Sequence, residues 1–333
     1  MRTQNAGCAT PIFAPRTYKA WKGRKLTIHP AAQIRRFMGK LNHKTILLLL
    51  PLLLLAACSG DTIISSEQEA GGPEYSAIII TSDLAVGPNR ILFGIINRDG
   101  MPVPGPSAEV ESYFMVPGAE ERELKESLTV PFINWPTSVL GVFGAPLDFD
   151  TAGLYQLDIN YISNEGTPIF AQGNLLIKES ASTPAIGAAA PTSVTNTAAN
   201  AEDIFHITSA SNPDLDLYQY SVHEALEQAK PLVVVFATPA FCLSATCGPQ
   251  VAQLTSVKES VGDLANYIHV EVFEEPHEIE DQRPTGGLVP AVREWGLPTE
   301  PWTFIIDAQG LVHAKFEQFA TAEEIEEKLL ELF

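Results

Sequence analysis

From Ser180 to about Ala201 the chain is built of Ala, Ser, Thr, Pro and Asn and is nearly uncharged. A stretch this poor in large apolar side chains cannot assemble a core of its own, so it divides the chain into two parts. It reads as a flexible linker over residues 180–203. The 275 or so residues after Cys58 suffice for two ordinary domains. The patterns on the two sides of the break differ, which predicts a multidomain chain of two fold classes.

Before the break, residues 75–179 show short runs rich in β-branched and aromatic residues, separated by turn formers. The runs are Ala77–Thr81, Arg90–Ile96, Val110–Met115, Ser138–Phe143, Leu154–Tyr161 and Pro168–Ile177, with hairpin turns expected at Asn97–Gly100 and Asn164–Gly166. Asp150-Thr-Ala-Gly-Leu-Tyr155 resembles the tyrosine corner of immunoglobulin-like sandwiches, in which the Tyr hydroxyl bonds back to its own chain. The expectation is an all-β immunoglobulin-like sandwich without catalytic clusters, serving as a spacer or docking module.

After the break, residues 204–333 alternate between helix and strand signals. Ser221-Val-His-Glu224 and Thr321-Ala-Glu-Glu324 are capping boxes, each opening a helix. Leu232–Phe236 is a buried strand, Pro249 to about Val261 a helix, and Ala265–Phe273 a second strand. Trp302–Asp307 and Leu311–Phe316 form a hairpin across Ala308-Gln-Gly310. This order predicts a mixed α/β sheet with helices on both faces.

The N-terminal region carries address rather than fold. Residues 1–37 are basic and contain no Asp or Glu, and they precede a Met that itself starts a well-formed signal. They read as an upstream extension, with Cys8 discarded. Residues 38–57 have the basic start and apolar core of a signal peptide, too short to span a membrane comfortably. Leu55-Ala-Ala-Cys58 resembles the bacterial lipobox, which implies lipidation of Cys58 and an extracytoplasmic chain anchored to the membrane through that lipid. Residues 58–74 form a Ser/Glu/Gly tether. Ten of the 21 Lys+Arg and none of the 40 Asp+Glu precede Cys58, leaving 11 against 40, near −29. So acidic a chain is unsuited to nucleic acid, whose phosphates require Lys and Arg.

With Cys8 and Cys58 so assigned, Cys242 and Cys247 are the remaining pair, in a disulfide-permissive compartment. They come after the Leu232–Phe236 strand at the start of a helix, where the positive helix terminus favours a thiolate. Together with Leu297-Pro-Thr-Glu-Pro-Trp-Thr-Phe-Ile-Ile-Asp307, residues 204–333 resemble the thioredoxin-like superfamily, its extracytoplasmic thiol–disulfide members most closely. The resemblance implies a cis-proline before the hairpin strand facing the reactive cysteine, at Pro301 or, less well matched, Pro298. It also implies exchange with extracytoplasmic protein thiols and disulfides without a cofactor. Phe241, Trp302 and Trp295 are expected along a substrate groove, with core packing expected for at least one of the three.

The cysteine spacing departs from the Cys-x-x-Cys of that family. On a regular helix a step of five residues turns about 500°, leaving the side chains about 140° apart, so Cys242 must lie on the loop or the turn must be distorted. Counting from Phe236, Cys242 takes the attacking position and Cys247 resolves. Counting from Gly248-Pro249, Cys247-Gly-Pro-Gln250 looks like the family motif with its second cysteine replaced. Three other readings stay open: a Cu(I) chaperone of the same fold, which lacks here the histidine such proteins carry before the hairpin; a structural disulfide; and a non-enzymatic lipid-tethered binding module. His269, His277 and His313 read as surface or strand residues rather than ligands, and Glu271–Asp281 as a solvated acidic loop, the alternative for that stretch with His277 being a weak site for a hard cation.

Overall fold

The computed structural model describes residues 73–135 and 141–333. The expected extension, signal peptide, Cys8, Cys58 and most of the tether lie outside them. Among the described residues no helix is long and apolar enough to cross a membrane.

Among the described residues, seven strands occupy the first half: β1 (Tyr75–Ile79), β2 (Gly87–Asn97), β3 (Ser107–Met115), β4 (Arg122–Asn134), β5 (Gly141–Phe149), β6 (Gly153–Ile162) and β7 (Pro168–Ile177). Here the sequence expectation is corrected. Instead of an immunoglobulin-like sandwich of two open sheets, the strands close into one barrel in the order β1-β2-β5-β4-β3-β6-β7, with β1 and β7 meeting in parallel at Ser76 and Gln172. The seam is closely packed at a glycine. A Cβ on Gly173 would lie 3.0 Å from both Ala77 Cβ and Ile79 Cδ1, so its absence lets β7 approach β1. Along β7, Ile169, Ala171, Leu175 and Ile177 point inward, alternating with exposed neighbours.

The tyrosine corner exists inside this different fold. The Tyr155 hydroxyl donates to Thr151 O at 3.1 Å and lies 3.3 Å from Asp150 Oδ1. Strand β4 is absent from the sequence expectation because its wall of the barrel faces solvent, Val130 being its one buried residue. Gly100 and Gly166 take positive φ at the two expected turns.

In the second half, β8 (Leu232–Ala237) and β9 (Asn266–Glu271) pair in parallel. Strand β12 (Trp302–Ile306) runs antiparallel between β8 and β13 (Val312–Glu317), giving the order β13-β12-β8-β9. A short hairpin, β10 (Ile279–Glu280) and β11 (Arg283–Pro284), stands apart. Helices α1 (Val222–Glu227) and α3 (Pro290–Glu294) cover one face, α2 (Cys247–Val261) and α4 (Ala322–Leu330) the other. The apolar run of β8 explains this layering. Leu232, Val234 and Phe236 meet Val222, Val292, Trp295 and Phe304, while Val233 and Val235 meet Leu254, Val257, Ile325 and Leu329. Both predicted capping boxes form, at Ser221/Glu224 and Thr321/Glu324. The mixed α/β sheet expected from the helix–strand order is present.

Residues 180–203 are not a free linker. Gly187 N donates to Val312 O at 2.7 Å, Val312 N to Ala188 O at 2.8 Å, and Ala190 N to Gly310 O at 2.9 Å, laying the segment along β13. Farther on, Thr195 Oγ1 accepts from Val222 N at 3.1 Å, and Trp295 Nε1 donates to Ser193 Oγ at 3.1 Å. Thr183, Ser193, Thr195 and Thr197 are buried. Small hydroxylated side chains look like linker composition, yet they also permit close approach and satisfy buried partners locally.

The barrel and the α/β sheet belong to one compact unit. The buried Glu317 carboxylate of β13 accepts from Ser82 N (2.8 Å), Ser82 Oγ (2.6 Å), Asp83 N (3.1 Å) and Thr299 Oγ1 (2.8 Å). Arg90 of β2 donates to both oxygens of Glu324 at 2.8 and 3.0 Å and to Phe319 O at 3.1 Å. Burial alone would raise the pKa of Asp83. Lys178, the amides of Ser182 and Thr183 and the Thr183 hydroxyl outweigh it and hold the carboxylate well below its usual range.

Candidate functional site

The loop between β8 and α2 brings Cys242 back over the first residue of the helix. Phe241 N donates to Thr238 O and Ala245 N to Cys242 O, both at 3.3 Å, and Ala245 takes φ 57°. Cys242 and Cys247 form a disulfide with Cα atoms 5.9 Å apart, inside the usual range. The five-residue step is thus accommodated because Cys242 lies on the loop and Cys247 opens α2. Cys247 is fully buried, whereas Cys242 is half-buried, its Sγ 3.2 Å from Ser244 Oγ, which in turn lies 2.7 Å from Thr246 Oγ1.

Gln250, the residue standing where the second motif alignment would put a cysteine, is buried and structural. Its Nε2 donates to Thr303 Oγ1 at 3.0 Å and its Oε1 accepts from Ala320 N at 2.8 Å, joining α2 to β12 and the turn before α4.

The Glu300–Pro301 peptide is cis and immediately precedes β12. Trp302 packs into the core: it is 2% exposed, stacks on Phe304 at 5.6 Å, and donates to Thr299 Oγ1 at 3.2 Å. Trp295 is equally buried, packed on Phe236 and Phe304. The inward pleat of the central strand and the helix packing behind it claim both rings for the core. Phe241 remains half-buried beside Cys242.

Glu300 is the residue that sequence reasoning missed. One carboxylate oxygen and the two cysteine sulfurs all lie within 4.8 Å of one another. Burial pushes its pKa up to about 7; the Thr238 amide, donating to Oε2 at 2.9 Å, pulls it down, and the Glu271 charge pushes it up again. The only local signal was its position directly before the proline. Contact with the sulfurs depends on β8 and β12 being neighbours.

A polar layer beneath holds the start of this loop. Ser209 Oγ donates to Glu271 at 2.7 Å and accepts from Ala240 N at 3.2 Å. His269, expected on a strand, is there but buried, with Nδ1 2.6 Å from the Tyr218 hydroxyl and Nε2 3.0 Å from Ala237 O. Burial depresses its pKa against the pull of Glu271 and the Ala237 carbonyl, so the imidazole stays neutral.

On its outer side the disulfide loop borders an apolar pocket of about 460 Å³. Ser244 and Ala245 form one wall, and barrel residues including Ile78, Ile96, Phe132 and Trp135 form the rest. The barrel thus supplies most of the wall of the pocket that adjoins the disulfide loop.

No family profile matches the chain, and no curated protein matches it. Several solved structures show limited likeness. A thioredoxin-family thiol:disulfide interchange protein from Chlorobium tepidum is 15% identical over 38% of this chain and 96% of its own, with a TM-score of 0.28. MtrC from Shewanella baltica is 15% identical over 44% of this chain and 28% of its own, at 0.25. A superoxide reductase (neelaredoxin) variant from Ignicoccus hospitalis is 12% identical over 31% of this chain and 78% of its own, at 0.20.

Proposed function

We propose that the chain is an extracytoplasmic thiol–disulfide oxidoreductase with a thioredoxin-like catalytic domain, tethered to a bacterial membrane through lipid on Cys58. The observation that carries this reading is the asymmetry of the disulfide: Cys242 half-exposed on a loop, Cys247 buried at the helix start, and the Glu300 carboxyl beside both sulfurs.

In the disulfide form, a client thiolate attacks Cys242 Sγ. The Cys242–Cys247 bond breaks, a client–Cys242 mixed disulfide forms, and Cys247 leaves as a thiolate that takes the proton of Glu300. A second client thiolate then attacks the client sulfur of the mixed disulfide and releases Cys242. Two electrons pass from the client thiols to the chain, and the client gains one disulfide. In reverse, Cys242 thiolate attacks a client disulfide, and Cys247 gives its proton to Glu300 as it attacks Cys242 Sγ. A carboxyl with a pKa near 7 serves both directions, because it holds or accepts the proton at neutral pH. The apolar pocket beside Ser244 suits an aliphatic or aromatic side chain flanking the client cysteine.

One observation favours a second reading. With the pair reduced, two sulfurs and the Glu300 carboxylate would form a three-donor set, and soft thiolates suit Cu(I). Equilibrating the full-length chain with glutathione and dithiothreitol buffers and trapping free thiols separates the cases. A pair poised within the range of these buffers supports exchange. A pair still oxidised below about −300 mV makes it a structural staple. Stoichiometric Cu(I), lost in Cys242→Ser, makes the site a copper carrier.

A further inference from the structure

A second constellation lies away from the disulfide. His206 ends the 3-10 turn Ile204–His206, while Glu275 and His277 stand on the loop between β9 and β10. One ligand atom from each lies within 4.8 Å of the other two. The two imidazole rings stack at 4.0 Å with an interplanar angle of 11°, and His277 Nδ1 is 3.4 Å from Glu275 Oε2. We propose that His206, Glu275 and His277 form a zinc-binding site.

The donor chemistry selects the ion. Two imidazole nitrogens and one carboxylate oxygen suit a borderline cation, whereas Ca²⁺ and Mg²⁺ require sets built from oxygen. Zinc bonds such donors at about 2.0–2.2 Å, which puts donors in a tetrahedron roughly 3.3–3.5 Å apart. An imidazole binds zinc through a lone pair in its own ring plane, so binding requires the exposed His277 ring to swing out of its stack on His206 and turn a nitrogen toward the ion, with the exposed Glu275 side chain following. The fourth position is left to water.

The surroundings favour a cation as well. Glu274, Glu275, Glu278, Glu280 and Asp281 crowd one short segment, and no Lys or Arg occurs between them and Arg283. The backbone that carries the donors is held independently of them. Glu274 N donates to Gly287 O at 2.8 Å, and Pro276, between the two loop donors, is buried. A side chain at Gly286 would strike Glu274 O at 1.8 Å, so glycine there permits this approach. Bound zinc would clip the acidic loop to the turn that opens the α/β half, two segments about seventy residues apart in sequence.

The test titrates the full-length chain with Zn²⁺ in a non-chelating buffer, with the disulfide kept oxidised so that no thiol contributes a ligand. The expected result is one Zn²⁺ per chain and a rise in Tm on saturation. Affinity should fall about tenfold or more in His206→Ala, His277→Ala and Glu275→Gln, remain in His313→Ala, and remain in the Cys242→Ser/Cys247→Ser double variant. Absence of binding below millimolar Zn²⁺ overturns the proposal, as does binding that His206→Ala leaves unchanged. All three donors are at the surface, and circular dichroism verifies that each variant is folded.

Discussion

The Thr238 amide donates to the Glu300 carboxylate at 2.9 Å, linking the end of β8 to the residue before β12 and holding that carboxylate against the two cysteines. Neither residue belongs to the cysteine motif. Their bond is nonetheless what places a titratable group beside a disulfide that has none of its own.

Replacing Glu300 with Gln should remove the proton carrier while keeping a side chain that can still accept from Thr238. Exchange at neutral pH should slow by about 10²-fold, and the inflection near pH 7 should vanish from the pH–rate profile. A profile that keeps its inflection in Glu300→Gln assigns the titration to another group.

The same carboxyl carries a stability signature. Its pKa rises from 4.5 to about 7 on folding, so the folded chain binds the proton more tightly than the unfolded one. Its contribution is complete below pH 4.5 and is lost as pH climbs through 7. At about 1.36 kcal/mol per unit, discounted for partial exposure, the loss is on the order of 2 kcal/mol. Denaturant titrations of the disulfide form between pH 4 and 8 should show this decline in the native chain and a smaller one in Glu300→Gln, which should be the more stable protein at pH 8.

The two sulfurs should behave unequally once reduced. Alkylation should modify Cys242 at least about tenfold faster than the buried Cys247. Cys247→Ser should accumulate the client–Cys242 mixed disulfide, and Cys242→Ser should abolish exchange. Mass spectrometry of the trapped species distinguishes them, and trapping through Cys247 in a Cys242→Ser chain would reverse the roles.

Arg90 couples the barrel to α4. Its guanidinium has 13% exposure and Glu324 has 30%, so Arg90→Ala strands a partly desolvated carboxylate. The loss should be about 2–3 kcal/mol, below the 3–5 kcal/mol of fully buried pairs because water still reaches Glu324. Equilibrium unfolding followed by tryptophan fluorescence measures it.

At the barrel seam, Gly173→Val puts branched carbon against Ala77 and Ile79. The cost should be about 1–3 kcal/mol, with faster amide exchange in β1 and little change in β8. Unaltered protection in β1 would mean that the seam tolerates the added volume.

Local signals in the sequence were dependable where one segment contains the whole cause. The β8 run, the capping boxes at Ser221 and Thr321, the Asn164–Gly166 turn and the Tyr155 corner each arise from neighbours in sequence. Strand β4 escaped because its solvent-facing wall carries no apolar alternation. The Ala/Ser/Thr/Pro segment misled because its composition suits a loose chain and a tightly packed strap equally well. The fold class of the barrel misled for a related reason, since period-two patterning sets which residues face inward but not whether the first and last strands meet.

By itself, then, the sequence determined two patterns of secondary structure, a cysteine pair at a helix start, and a proline before a strand. Those depend on backbone preference and side-chain period, which act over a few residues. Tertiary structure alone decided that Gly173 sits at the closely packed barrel seam, that Trp302 belongs to the core, that Glu300 stands beside the sulfurs, and that His206 meets His277. Each of these joins segments distant in the chain, and the packing of strands and helices between them sets the distance.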